Sequence, residues 1–202
     1  CSNDPYPPED GEAKVLYSSF DAAPRTLDPA TAYTTKAHSV TGVVYDTLLK
    51  YHFLKRPLEL MPGLAVDLPL VTPLEDGRTR YRFTLREDLL FADDDCFELS
   101  GEGRRTREIV SADIAFQLMR LADPLIGSPV AETFANIDGF VEFASTLEAH
   151  REEDPAFADQ AAHEQYAAAG GVRGIEMPSR YVLDITLHRA YPQIKYWFAM
   201  EF

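Results

Sequence analysis

With 202 residues, 46% of them hydrophobic, the chain is long enough to close a sizeable core and too apolar to stay disordered. Its 33 acidic against 19 basic residues, a formal charge of −14, exclude a nucleic-acid function, because gripping a polyanion rests on Lys and Arg neutralising phosphates. A neutral or cationic small ligand suits that charge better. Two cysteines, Cys1 and Cys96, with no CxxC and no Cys/His cluster, exclude a disulfide framework and a structural zinc.

The chain opens with Cys1 and then "SNDPYPPEDGE" (2–12), which holds three prolines and four carboxylates. Proline lacks the amide donor that a helix or inner strand needs, and the charges repel one another, so 1–12 reads as a tether. A cysteine leading such a tether is similar to that of a mature bacterial lipoprotein, in which signal-peptide cleavage exposes a cysteine that is then acylated. The resemblance implies lipidation at Cys1, a membrane reached through that anchor and a location outside the cytoplasm; each buried methylene is worth ~0.8 kcal/mol. The competing reading is a chain that merely starts there.

"AKVLYSS" (13–19) is short and β-rich and predicts a first strand. A loop punctuated by Pro24 and Pro29 follows. "TTKAHSVTGVVYDTLLKY" (34–51) brings Ala37, Val40, Val44 and Leu48 to one face at helical spacing. "TRYRFTLRE" (79–87) alternates, with Tyr81, Phe83 and Leu85 apolar, and predicts a strand with one buried face. "EDGR" (75–78) is a turn signal, and "LPLVTPL" (68–74) is the hairpin partner that its prolines confine to an edge.

"SADIAFQLMRLAD" (111–123) predicts a helix with Ser111 as N-cap and Ile114, Leu118 and Leu121 on one face. Another helix is expected over 137–150, with Phe140, Ala144 and Leu147 in register. A fourth starts at an Asp154 cap with Pro155 in its first turn and runs through "AFADQAAHEQYAAA" to Gly170–Gly171. "RYVLDITLH" (180–188) alternates again, placing Tyr181, Leu183, Ile185 and Leu187 together. Trp197, Phe198 and Phe202 are expected to be exposed at the end of the chain.

No motif supports bond chemistry: G-x-S-x-G, H-E-x-x-H, Walker A and G-x-G-x-x-G are all missing. "GEGRRT" (101–106) reads as a solvated turn, and "DDDCFE" (93–98) as a surface turn without calcium-loop spacing. The five histidines share no i, i+4 pair. Cys96 reads as a small buried apolar residue rather than a nucleophile. The chain is therefore not expected to be an enzyme or to carry a metal or cofactor.

Four stretches in a fixed order carry a family likeness. "TLDPATAYTTKAHSVTGVVYDTLLKY" resembles the opening of the family 5 extracellular solute-binding proteins, the peptide, dipeptide and nickel receptors of ABC importers. "PGLAVD…DGRTRYRFTLREDLLFADD", "IVSADIAFQLMRLADP" and "GIEMPSRYVLDITLHRAYPQIKYWFAM" are similar to later segments of the same family. The likeness departs at Asp67 and Leu68, where the family carries tryptophan, and in the long stretch between Phe91 and Asp113.

Family members are much longer and close two lobes over a ligand. The resemblance implies a mixed α+β fold, periplasmic-binding-protein-like of type II, of which this chain is the first lobe and its subdomain. On that reading 13–60 and 172–202 form the core of the lobe and 61–171 an inserted subdomain. It also implies capture of an oligopeptide or peptide-like solute by cleft closure and delivery to an ABC permease. Tyr33 and Thr34, in the turn that faces the cleft in such receptors, are the expected ligand contacts, with packing at the loop–helix junction as Tyr33's other role. Two further classes stay open: a lipoprotein interaction or scaffold domain without a transport ligand, and a hydrolase whose groups spacing does not reveal.

Overall fold

Alternation in two segments organises the molecule. The computed structural model describes residues 19, 21–101 and 103–202. Cys1, the tether and all but the last residue of the strand expected at 13–19 lie outside the described residues.

Chain order is α1 (Thr35–Val44), β1 (Leu49–Tyr51), β2 (Leu60–Pro62), β3 (Leu70–Pro73), β4 (Thr79–Thr84), α2 (Ser111–Ala122) and α3 (Ala131–Phe134), followed by α4 (Phe140–Glu153), α5 (Pro155–Ala158), α6 (Ala162–Ala168), β5 (Ile175–Ser179), β6 (Val182–Leu187) and α7 (Ile194–Trp197). β1 and β2 pair as a small hairpin, and the other strands form an antiparallel sheet in the order β3-β4-β6-β5. That sheet draws β3 and β4 from 61–171 and β5 and β6 from 172–202, so the two stretches share one layer.

The alternation at 79–87 places Tyr81, Phe83 and Leu85 in the core, as the pattern predicts. Register sets Tyr81 opposite Ile185 and Phe83 opposite Leu183. Against them pack Leu118 and Leu121 of α2 and Phe140, Phe143 and Leu147 of α4. The edge role predicted for 68–74 holds: β3 has one neighbour and an exposed outer side. β6 departs from simple alternation. Its Asp184 and Thr186 are buried too, because Arg82 clamps Asp184 with two hydrogen bonds of 2.7 and 2.6 Å and Arg80 lies beside it.

Several expected boundaries move. α1 ends at Val44, so Leu48 is not on the helix; its carbonyl instead accepts the N–H groups of Gly63 and Ala65. This crossing brings Gly63 so near that a Cβ there would lie 2.2 Å from the Thr47 carbonyl oxygen. The buried face of α1 is Ala37 and Thr41, while Val44 is exposed.

Ser111 is the first helical residue of α2 rather than its cap. The Asp113 carboxylate accepts the Val110 N–H at 2.8 Å, which frees the Ser111 hydroxyl to donate to the Ser179 carbonyl at 2.9 Å. That bond fastens the start of α2 to β5, a strand that the spacing rules had not marked.

The helix expected after Asp154 is two pieces, α5 and α6. Asp154 does cap the first, accepting the Ala156 N–H at 2.9 Å. The break persists because side chains satisfy its backbone: Gln165 donates to the carbonyls of Ala158 and Gln160, and Glu164 accepts the Ala161 N–H. Phe198 is buried rather than exposed, edge-on to Phe83 at 5.1 Å, and Trp197 and Phe202 are half-buried against the core. Apolar burial explains this return of the chain end.

Candidate functional site

Because α1 stops early, residues 45–48 cross in front of α2 and leave a gap between them. The gap opens into a groove of about 800 Å³. Leu48 and Leu64 form one side, Ile114, Leu118 and Leu121 of α2 the floor, and Phe198 and Phe202 the end. The far side comes from the long excursion between β4 and α2, through Leu90, Phe91 and Phe97.

That excursion is held by backbone bridges between Leu90 and Glu108 and between Leu99 and Arg105. The rings of Phe91 and Phe97 lie 5.5 Å apart, with the Arg107 guanidinium 4.5 Å above the Phe91 ring. Arg107 also donates to the Asp113 carboxylate, at 2.9 Å through Nη1, so the loop is pinned to the first turn of α2.

The polar lining is mostly acidic: Asp46, Asp94, Asp113 and Glu201, with Arg104 as the cation. Arg104 donates to Asp93 at 2.9 Å, and Asp113 is engaged by Arg107. Glu201 accepts from the Thr41 hydroxyl at 3.2 Å and lies 2.8 Å from His38 Nδ1, so this carboxylate ties α1 to the 198–202 segment. The Gln117 side-chain amide donates to the Phe202 carbonyl and closes the end of the groove.

Cys96 lines the groove and is exposed, which corrects the expectation of a buried thiol. It sits in the turn that the Phe97 N–H closes onto the Asp94 carbonyl at 3.1 Å, on the exposed side of the excursion. The Asp94 carboxylate accepts the Cys96 N–H at 2.9 Å. Contact with Asp94 pushes the thiol pKa up, and the Cys96 backbone and thiol hold the Asp94 carboxyl below its usual range.

The two expected ligand contacts stand at the other end of α1. Thr34 is its N-cap, its hydroxyl accepting the Ala37 N–H at 3.2 Å. Tyr33 is 45% exposed, with its ring edge-on to His38 at 5.8 Å. Neither lines the groove, but a chain of contacts runs from Tyr33 through His38 to Glu201, which does. Sequence reasoning missed Glu201: it is 163 residues from His38, and no spacing rule links them. Among the described residues no group of three or more His, Cys, Asp or Glu is placed to hold a metal ion. No described helix is long and apolar enough to cross a membrane.

No family model and no curated protein matches the chain. Its fold does match solved structures. OppA of Burkholderia pseudomallei is 17% identical with a TM-score of 0.57, over 87% of this chain and 27% of that one. The murein tripeptide binding protein MppA of Escherichia coli is 21% identical with a TM-score of 0.55, over 87% and 27%. The substrate-binding domain of an oligopeptide ABC transporter from Bacillus anthracis is 19% identical with a TM-score of 0.56, over 86% and 26%. The chain thus has the mixed α/β fold of part of these substrate-binding proteins and spans about a quarter of their length.

Proposed function

We propose that this chain belongs to an extracytoplasmic receptor that captures a peptide-like solute and hands it to the permease of an ABC importer. The observation that carries the reading is the shared fold over 86–87% of the chain with proteins named for oligopeptide and murein tripeptide binding. In such a receptor these residues form part of one lobe, and a ligand is held when a second lobe closes over it. Tyr33, exposed at the start of α1, contributes a ring face and a hydroxyl to that ligand, and Thr34 fixes the turn that presents it. The acidic polar lining nearby suits a neutral or cationic solute. The protein binds rather than transforms its ligand.

Acylation of Cys1 is part of the same proposal and rests on the composition of 1–12 alone. Mass spectrometry of the protein extracted from membranes tests it, and an unmodified Cys1 in the mature protein removes the anchor.

Thermal shift of the full-length protein against a panel of short peptides tests the central reading. A ligand at a hundredfold excess over its Kd raises stability by about 2.7 kcal/mol. A flat response to every peptide, together with turnover of an ester or amide substrate, overturns it.

A further inference from the structure

The β1–β2 hairpin projects the most exposed apolar side chains of its region from an eight-residue tip, 52–59. Phe53 is 86%, Leu54 77% and Leu58 54% exposed. Exposed apolar side chains grouped on one short tip mark a contact site.

Charge separates this hairpin from the rest of the molecule. Residues 49–62 carry Lys50, Lys55 and Arg56 against Glu59 alone, in a chain where acidic residues outnumber basic ones by 33 to 19. Lys50 pairs with Asp46 and Lys55 with Glu59, while Arg56 has no carboxylate partner among the described residues. Beneath the tip, Tyr51 stacks on Tyr196 at 6.3 Å, and the Lys195 ammonium lies 5.3 Å from the Tyr196 ring.

The backbone of the tip is already partly satisfied from within. The His52 N–H donates to the Glu59 carbonyl at 2.8 Å, the Leu54 N–H to His52 Nδ1 at 3.3 Å, and Arg56 Nη1 to the carbonyls of Lys55 and Phe53 at 2.8 and 3.4 Å. These internal bonds lower the cost of taking that part of the tip out of water. Bare apolar side chains interleaved with cations along the tip, above stacked tyrosines at the hairpin's base, are the side-chain types that a membrane interface takes up.

The geometry points to the 52–59 tip as a docking element for an anionic phospholipid surface, with Phe53, Leu54 and Leu58 entering the acyl boundary and Lys55, Arg56 and Lys195 meeting the headgroups. The cations set among the apolar side chains favour an anionic lipid surface, and a protein partner is the outcome that the test below separates from it. The inference is independent of the peptide reading and of acylation.

Flotation of the full-length Cys1→Ser protein, which carries no acyl chain at that position, with phosphatidylcholine vesicles and with vesicles that also contain phosphatidylglycerol tests this. The protein floats with the anionic vesicles and much less with the neutral ones. Phe53→Ser with Leu54→Ser lowers the bound fraction about tenfold or more, since each removed side chain takes away a large apolar burial. Lys55→Glu with Arg56→Glu abolishes the preference for anionic lipid. Phe53→Ser with Leu54→Ser leaves the unfolding midpoint near the parent's because those side chains are exposed, and Lys55→Glu with Arg56→Glu, which gives up an exposed ion pair and two bonds to tip carbonyls, lowers it only slightly. No flotation at low salt, or flotation that both pairs leave unchanged, overturns the inference. So does a photo-crosslink from position 53 to a membrane protein in the absence of vesicle binding, which assigns the tip to a protein partner.

Discussion

Asp123 ends α2 and holds the helix that floors the groove. Its side chain is 4% exposed and accepts four hydrogen bonds: from Arg151 Nη1 at 2.6 Å and Nη2 at 2.8 Å, from the Tyr166 hydroxyl at 2.8 Å and from the Leu125 N–H at 2.9 Å. Arg151, with its side chain 11% exposed, donates further to Gln165 at 2.7 Å. Asp123→Ala leaves that guanidinium nearly dry and without its counter-charge. Breaking one side of a buried pair costs about 3–5 kcal/mol, and a stranded Tyr166 hydroxyl about 1–3 kcal/mol more, with overlap between the two. A loss of roughly 4 kcal/mol is expected, read as a drop in urea midpoint with unchanged slope.

The pH dependence has a fixed sign. Burial raises the Asp123 pKa, but Arg151, the Leu125 N–H and Tyr166 together outweigh it and hold the carboxyl below its ordinary value of 3.8. A folded-state pKa below the unfolded one contributes stability above the unfolded value, and that contribution fades as pH falls through the folded one. The penalty of Asp123→Ala therefore shrinks below about pH 4. Removing all three partners together, with Asp123→Leu, Arg151→Met and Tyr166→Phe, keeps stability within about 2 kcal/mol of the parent, because an apolar replacement strands no charge. A single-variant loss under about 1 kcal/mol refutes the reasoning, as does a triple variant worse than Asp123→Ala.

Three further outcomes are expected. Gly139→Ala destabilises by about 1–2 kcal/mol from backbone alone; its φ is 78° and an added Cβ would lie 2.8 Å from Arg173 Cβ, so thermal unfolding shows a larger loss still. Thr34→Ala removes the α1 cap and costs about 1 kcal/mol, whereas Tyr33→Ala leaves stability near the parent's and weakens peptide binding about tenfold by calorimetry, as a lost aromatic anchor does. Asp94→Ala speeds alkylation of Cys96 near neutral pH, since the carboxylate that keeps the thiol protonated is gone; an unchanged rate discounts the Asp94 contact.

Periodicity reached the strands and helices whose burial follows their own residues. β4 and β6 read correctly because Tyr81, Phe83, Leu183 and Ile185 face one core. α2 and α4 read correctly for the same reason, with Leu118, Leu121, Phe140 and Leu147 at helical spacing. β5 escaped: it holds Pro178 and shows one buried residue, Ile175, so its place comes from pairing with β6 and not from its own pattern. The break at 159–161 also escaped, since "AFADQAAHEQYAAA" has the composition of one helix, and the gap is sustained by the reach of Gln165 to two carbonyls and of Glu164 to the Ala161 N–H. Arg82 and Asp184 each look like solvent-side residues, and only the register that sets them opposite one another shows them as a clamp.

The candidate site was the least legible part, and the reason is geometric. Its sides come from residues near 48, 64, 91, 118 and 198, which are apolar types that every core uses. An apolar side chain carries no mark that tells a groove lining from a packed interior; that difference is decided by whether a neighbour arrives, which is a tertiary fact. The polar atoms that do define the place, Glu201 between His38 and Thr41, meet across most of the chain. On the proposed reading the chain encloses a ligand without transforming it, which places no demand on local sequence, so the order of the strand and helix segments, rather than any motif, carries the likeness on which that proposal rests.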